Sequence, residues 1–324
     1  MTEFDHVVVL AGGLSPEREV SLRSGRRVRD ALEEAGVDAR MADADAGLIP
    51  ALLADPPSAV FPAIHGSYGE DGAIREILAL LGTPYVGSVA SACRSAFDKP
   101  TAKALVGAAG ITTPESVTLP REIFHDLGAT AVIDRISARL GLPLFVKPAR
   151  GGSSVGTSKA HDAAELEQAI EAAREHDPKV LVEAAIDGVE VEVSVLEGVD
   201  GAPPDTSLPG QLLVDGGEEF WDFEAKYLDQ ASGMAIPAPI PAEAREEVRR
   251  LAAVAFDAVS CEGLARVDFF YTPDGRIVIN EINTIPGLSP ASYFQKMWEA
   301  SGLPFSQLID RLLQTALRKR PGLR

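Results

Sequence analysis

Two hydrophobic periods alternate along this chain, and the places where one gives way to the other mark its elements. Residues 6–13, HVVVLAGG, form a continuous apolar run that ends in glycines, and Glu19 to Ala35 then carries helical spacing. This predicts a buried strand, a turn and a helix. Ala59 to Ile64 is a second short apolar run, closed by His65-Gly66 and by Gly69-Glu70-Asp71-Gly72 before a helix through Leu81. Thr101 to Ala109 predicts a helix that Gly110 ends, and residues 130–140 predict another. PLFVKPARGGSSVGTSKA reads as strand, glycine-rich loop and return strand. Asp162 and Glu165 form a capping pattern ahead of a helix with Leu166, Ile170 and Ala173 on one face. VLVEAAIDGVEVEVSVL reads as strand, turn, strand. Residues 198–240 are rich in Gly and Pro and poorly periodic, the profile of a functional loop rather than of framework. Pro241 to Val259 predicts a helix, and Phe305, Leu308, Ile309 and Leu312 predict a last amphipathic one.

The period of two is clearest in Gly263 to Gly287, where apolar runs flank Asp274-Gly275, a short-range hairpin signal. If those two residues are the turn, Asp268 pairs with Glu281 and Arg266 with Asn283, all on one face. Opposed carboxylates repel. The face is open to two readings: hard oxygen ligands for Mg²⁺, or a salt bridge of Arg266 with either acid on a solvated surface.

Other polar clusters fall at strand ends, where ligands bind in open α/β sheets. Ser15 and Glu17 follow the first strand, with a plain helix cap as the simple reading of Ser15, and His65 follows the second. In the loop after Lys147, glycines permit close backbone approach to an anion, Ser153 and Ser154 add donors, and the lysine adds charge. That composition favours nucleotide phosphates over a flexible linker. The backbone from Glu183 to Ile186 could serve a base, and Glu190 a ribose. FWDFEAKY places Lys226 and Tyr227 together within the loop-like stretch. GxGxxG and GxxxxGK[ST] are absent, which argues against a nicotinamide fold and a Walker loop.

Composition narrows the classes further. With 324 residues, 46% of them hydrophobic, the chain can bury the cores of two or three domains. A net charge of −18 argues against nucleic acid, and no apolar run approaches the roughly 20 residues of a membrane span. Cys93 and Cys261 lack metal or redox spacing and read as buried thiols. With no signal-like N-terminus, the expected location is the cytoplasm.

GGLSPEREVSLRSG, HGSYGEDG, YVGSVASACRSAFDKPTAK, FVKPARGGSSVG, FWDFEAKY, GLARVDFF and NEINTIPG stand in this order along the chain. In them the sequence resembles the D-alanine–D-alanine ligases of the ATP-grasp superfamily from end to end. The resemblance implies an α/β (α+β) molecule: an N-terminal Rossmann-like parallel-sheet domain at 1–97, then ATP-grasp subdomains at 98–186 and 187–324. It implies ATP-dependent joining of two D-alanines through an acylphosphate for peptidoglycan precursors, by a cytoplasmic homodimer. Lys99, Lys147, Ser153 and Ser154 would serve the phosphates; Glu183, Ile186, Glu190 and Lys226 the rest of the nucleotide. Asp268, Glu281 and Asn283 would hold two Mg²⁺ or Mn²⁺ ions. Glu17, with His65 nearby, would take the first D-alanine's ammonium, Arg266 and the Gly287 N–H the developing oxyanion, and Ser292 the second carboxylate. Tyr227 would close over the substrates with Glu17 and Ser153. The chain departs from the family at Arg75-Glu76, at Ala184-Ala185 and at Tyr293. Tyr293 lies beside the second-substrate site and leaves D-serine, D-lactate or another D-amino acid open as the acceptor. A non-catalytic nucleotide sensor on the same fold would be expected to lose lysine or metal positions, and none is lost.

Overall fold

In the computed structural model, which describes residues 6–120, 126, 128–152, 154–213 and 233–318, the apolar runs pair into three sheets. β1 (His6–Ala11) lies between β2 (Asp38–Asp43) and β3 (Ala59–Pro62), all parallel, with Val7 opposite both Ala39 and Ala59. The helix Arg18–Glu34 makes the crossover from β1 to β2 that parallel neighbours require. β2 reads DARMAD and carries no apolar run, so the pattern does not reveal it.

The second sheet is antiparallel, in the order β4 (Ser116–Leu119), β7 (Val180–Ala184), β5 (Leu144–Pro148), β6 (Ser158–Ala160). The strand–loop–strand expectation holds, with Leu144 opposite Ala160. Helices Ala129–Leu140 and Ala163–Arg174 cover one face through Ile133, Ile136, Leu166 and Ile170. The cap is as expected: Asp162 Oδ1 accepts from Glu165 N–H at 2.8 Å, and Glu165 accepts from His161 N–H at 2.7 Å.

The third sheet runs β11 (Gly233–Ala235), β10 (Gly210–Leu213), β8 (Val189–Leu196), β12 (Leu264–Tyr271), β13 (Ile277–Asn283), with β9 (Asp205–Thr206) added to β8. Among the described residues of 198–240, three short strands interrupt the expected loop, held by pairing rather than by their own pattern. β7 and β8 belong to different sheets, so residues 185–188 carry the chain across. The helix Ala242–Ala258 packs Val248, Leu251 and Ala255 against Val191, Val193, Val267 and Phe269. By alternation, Glu190, Glu192, Arg266, Asp268 and Glu281 take the other face.

The β12–β13 hairpin reaches the expected register by an unexpected route. Thr272 N–H donates to Arg276 O at 3.0 Å and Gly275 N–H to Thr272 O at 2.9 Å, which closes a three-residue loop with Gly275 at φ 84°. That shifts the pairing by one, to Tyr271 opposite Ile277. A bulge after Asp268 then absorbs Asn280 and returns Asp268 to Glu281.

One core joins the two ends of the chain. Val7, Val9 and Phe61 of the first sheet pack with Leu288, Phe294, Trp298, Leu308, Ile309 and Leu312, from helices Tyr293–Ala300 and Phe305–Arg318 and the turn before them.

Candidate active site

The second and third sheets meet over a buried charge cluster. Glu183, on β7, puts its carboxylate 2.7 Å from Lys103 Nζ and 2.9 Å from Lys147 Nζ, all three largely buried. Lys147 also donates to Asn280 Oδ1 across the sheets at 3.1 Å, and the Asn280 amide reaches Glu190 at 3.4 Å. Burial works against the Glu183 charge, yet Lys147 and Lys103 overcome it and hold its pKa down to about 2. Burial pushes Lys99 and Lys103 down, whereas at Lys147 the attraction of Glu183 outweighs burial and the pKa rises. Such a cluster persists only when every charge is paired. The part of Glu183 turned into the site is its side chain rather than its backbone. The next two amides are spent elsewhere, Ala184 N–H on Glu115 O and Ala185 N–H on Pro143 O.

Lys99 donates to the Gly151 carbonyl at 2.6 Å, fastening the helix Lys99–Ala108 to the glycine-rich loop. Gly152 lies where a Cβ would stand 3.3 Å from Glu17 and 3.4 Å from Glu70, so the loop backbone passes directly over both carboxylates. Ser15 is not a helix cap by its side chain; its hydroxyl donates to His65 O and accepts from Glu17 N–H, tying the ends of β1 and β3 together. His65 Nδ1 lies 3.8 Å from Glu70. Arg75, at the first family departure, is buried and donates to Gly69 O at 2.8 Å, bracing this loop.

On the third sheet Glu192, Asp268 and Glu281 stand in register on three adjacent strands. Arg266 answers them, with two 2.7 Å bonds to Asp268, 3.3 Å to Glu192 and 4.0 Å to Glu281. Burial opposes the Arg266 charge, but Asp268 and Glu192 hold it firmly on. The salt bridge is made, on a largely buried rather than a solvated face, and three carboxylates share one guanidinium. Among the described residues no group of three or more His, Cys, Asp or Glu forms a ready metal cage. The donor set nonetheless fits Mg²⁺, which is commonly held by one or two carboxylates with the remainder from phosphates and water. Asn283 Oδ1 accepts from Ile285 N–H at 2.8 Å and faces the same side as Arg266 and Glu281.

Beyond β13, a Cβ on Gly287 would stand 2.7 Å from Ser292 Oγ, so a side chain there would displace the Ser292 hydroxyl. Ser292 Oγ accepts from Ser289 N–H at 3.1 Å. Tyr293 packs with Leu212 and Met234 beside β10 and β11, and Lys296 stands over its ring. Ile186 lies in the 185–188 crossing and Ser154 in the glycine-rich loop at φ 59°. Ser153, Lys226 and Tyr227 fall outside the described residues.

Lys103, Glu70, Glu192 and Asn280 belong to the site and escape the motif reading. Three carried a signal, Glu70 by its place in the polar cluster that closes the second apolar run. Lys103 follows Lys99 by four residues on one helix, Glu192 follows Glu190 by two on one strand, and each spacing repeats a face. Asn280 carried none, because its direction depends on the bulge.

A parallel-sheet unit followed by two antiparallel sheets that clasp a lysine–carboxylate cluster defines an α/β enzyme of the ATP-grasp kind. A family model described as D-ala D-ala ligase C-terminus matches residues 105–314, and one described as D-ala D-ala ligase N-terminus matches residues 38–88. A D-alanine--D-alanine ligase of Streptomyces coelicolor (strain ATCC BAA-471 / A3(2) / M145) is 49% identical over 280 residues, covering 86% of this chain and 71% of that protein. One from Mycobacterium sp. (strain KMS) is 43% identical over 342 residues, covering 98% and 89%. Among solved structures, the VanG D-Ala:D-Ser ligase from Enterococcus faecalis superposes with a TM-score of 0.82 at 34% identity, covering 96% of this chain and 99% of that one. The D-alanine--D-alanine ligase from Bacillus anthracis gives 0.83 at 31%, covering 97% and 98%. This chain belongs to the D-alanine–D-alanine ligase family.

Proposed function

We propose that this chain joins two D-alanines at the expense of ATP, in the cytoplasm and in the service of peptidoglycan synthesis. The observation that carries the reading is the cluster of Lys99, Lys103 and Lys147 around Glu183 and Asn280, which gathers positive charge between two sheets in a chain of net charge −18. An anionic nucleotide needs such a local pocket, and phosphoryl transfer depends mainly on positioning and charge neutralisation.

The first D-alanine, its ammonium beside Glu17 and Glu70, attacks the γ-phosphate through its carboxylate and releases ADP. The acylphosphate is then attacked by the amine of the second D-alanine, which loses a proton as the carbon–nitrogen bond forms. Arg266 and the Gly287 N–H receive the charge developing on the tetrahedral oxygen, and collapse expels phosphate. Ser292 holds the second carboxylate, and Ser153, Ser154, Ile186, Glu190, Lys226 and Tyr227 complete the nucleotide and substrate contacts. Asp268, Glu281 and Asn283 would hold divalent cations, which supply charge neutralisation at the phosphates.

The three-part division at 97/98 and 186/187 is supported by the sheets, each of which lies within one span. Buried, free Cys93 and Cys261 accord with a reducing compartment. Among the described residues no helix is long and apolar enough to cross a membrane. A homodimer is the assembly expected, to be read by sedimentation. Incubation with ATP, Mg²⁺ and equimolar D-alanine, D-serine and D-lactate, with products resolved by mass, tests the reading. D-alanyl-D-alanine with stoichiometric ADP is expected, and a predominant mixed product would move the acceptor specificity to Tyr293.

A further inference from the structure

The helix Arg18–Glu34 turns two buried serines toward its neighbours, one turn apart. Ser21 stays within the first sheet's surroundings, accepting from Gly12 N–H at 2.8 Å and donating to Ala63 O at 2.7 Å. Ser24 reaches out of them. Its Oγ lies 3.2 Å from His65 Nε2 and accepts from Leu288 N–H at 3.3 Å, a contact between residues 264 apart in sequence. Ser24 is 1% exposed and His65 4%, so water does not compete for either bond.

A hydroxyl has one proton and two lone pairs. With Leu288 N–H donating to it, the Ser24 proton is available to His65 Nε2. The other ring nitrogen, Nδ1, faces Glu70 at 3.8 Å. One oxygen atom thereby connects the loop that presents His65 and Glu70 with the turn that presents Gly287.

That turn needs an external brace. A Cβ at Gly287 would press on Ser292 Oγ, and glycine leaves its own φ and ψ poorly determined. Leu288, buried in the core that joins the chain ends, holds the turn in place but does not orient its peptide planes. The hydrogen bond from Leu288 N–H to Ser24 fixes the plane between residues 287 and 288.

We propose that Ser24 is a positioning residue of the ligation step: by pinning the Leu288 N–H, one residue beyond Gly287, its hydroxyl holds the turn where the Gly287 N–H, in the preceding peptide unit, meets the reacting carbonyl. The inference rests on Gly287 acting as the oxyanion donor. Losing such a donor outright costs about 10²–10³ in kcat, and misaiming it costs less. Phosphoryl transfer precedes any oxyanion at that carbonyl and does not use this donor.

Ser24→Ala, Ser24→Thr and Ser24→Cys distinguish this role from a structural one. In rapid-quench experiments Ser24→Ala is expected to slow dipeptide formation about 10–100-fold, while first-turnover ADP formation and the KM for ATP stay within about threefold. Ser24→Thr, which keeps the hydroxyl, recovers most of the lost rate. If the alanine variant does not fold, Ser24→Cys carries the test, since it keeps the volume and replaces a strong acceptor by a weak one. Dipeptide formation within twofold of the unsubstituted protein in both Ala and Cys variants overturns the inference. So does an equal fall in ADP and dipeptide formation with no rescue by threonine. An unsubstituted protein that makes no dipeptide would sink the functional reading and this inference with it, whereas an active one with unaffected variants sinks this inference alone.

Discussion

Glu183 shows how a single residue can be both a structural and a functional commitment. Its carboxylate separates two lysines that would otherwise repel each other in a buried space, so removing its charge leaves both uncompensated. Glu183→Gln is expected to cost about 3–5 kcal/mol in denaturant unfolding, the range for breaking a buried pair from one side. A loss under about 1 kcal/mol would show that the lysines find other partners. The pH dependence has a definite sign. A folded-state pKa lowered from 4.5 to about 2 gives stability that is complete above the unfolded value and lost as pH falls through the folded one. The unsubstituted protein should therefore lose this contribution between about pH 4.5 and 2, and Glu183→Gln should flatten that part of the profile. The two acids of the third sheet behave differently from each other. Asp268 is fully buried with two bonds to Arg266, while Glu281 stands 4.0 Å from it and is partly exposed. Asp268→Asn is expected to lower both the melting temperature and turnover, and Glu281→Gln turnover alone. Equal melting temperatures for the two variants would mean that Arg266 transfers fully to Glu192.

At the scale of elements, the β12–β13 hairpin marks how far the sequence can be read. The pairing of Asp268 with Glu281 and of Arg266 with Asn283 was legible from alternation and the Asp-Gly signal. The loop was not, because Pro273-Asp274-Gly275 forms a three-residue turn one residue wider than the signal suggests, and the bulge at Asn280 makes up the difference. Alternation cannot show a bulge, since the extra residue only looks like a change of face. β2 and the strands within residues 198–240 were hidden for a related reason: they are held by neighbours rather than by an apolar period. The glycine-rich loop and its lysine were legible because their chemistry is local, whereas the Glu183–Lys103 pair depends on how a helix packs over a sheet. Excising Asn280 tests what the bulge is for. The deletion leaves Asp268 opposite Glu281 and removes the amide between Lys147 and Glu190, together with the carbonyl that Lys103 reaches at 3.4 Å. Affinity for a non-hydrolysable ATP analogue should fall about tenfold by calorimetry, as for loss of one or two hydrogen bonds to charged groups, with the hairpin intact. Unchanged affinity would reduce the bulge to a correction of the turn.

For the molecule as a whole, the decisive feature is the core shared by the two ends of the chain. The first sheet has Val7, Val9 and Phe61 on a face that nothing nearby in sequence covers fully; Phe294, Trp298, Leu308 and Leu312 do so. Truncation after residue 288 is accordingly expected to disrupt the N-terminal sheet as well as the site. Loss of cooperative unfolding and dye binding to exposed apolar surface would report it, and a truncated chain with an unaltered melting curve would disprove it. The same arrangement imposes a schedule on synthesis. β3 leaves the ribosome about 250 residues before the helix that shields it, a wait of about 10–50 s at ordinary elongation rates. During that interval the nascent chain carries a finished parallel sheet with one greasy face that its own neighbours cover only in part. The segment bearing Glu17 and His65 is thus translated early and matures late, and holdase chaperones would find their natural client in the newborn N-terminal third.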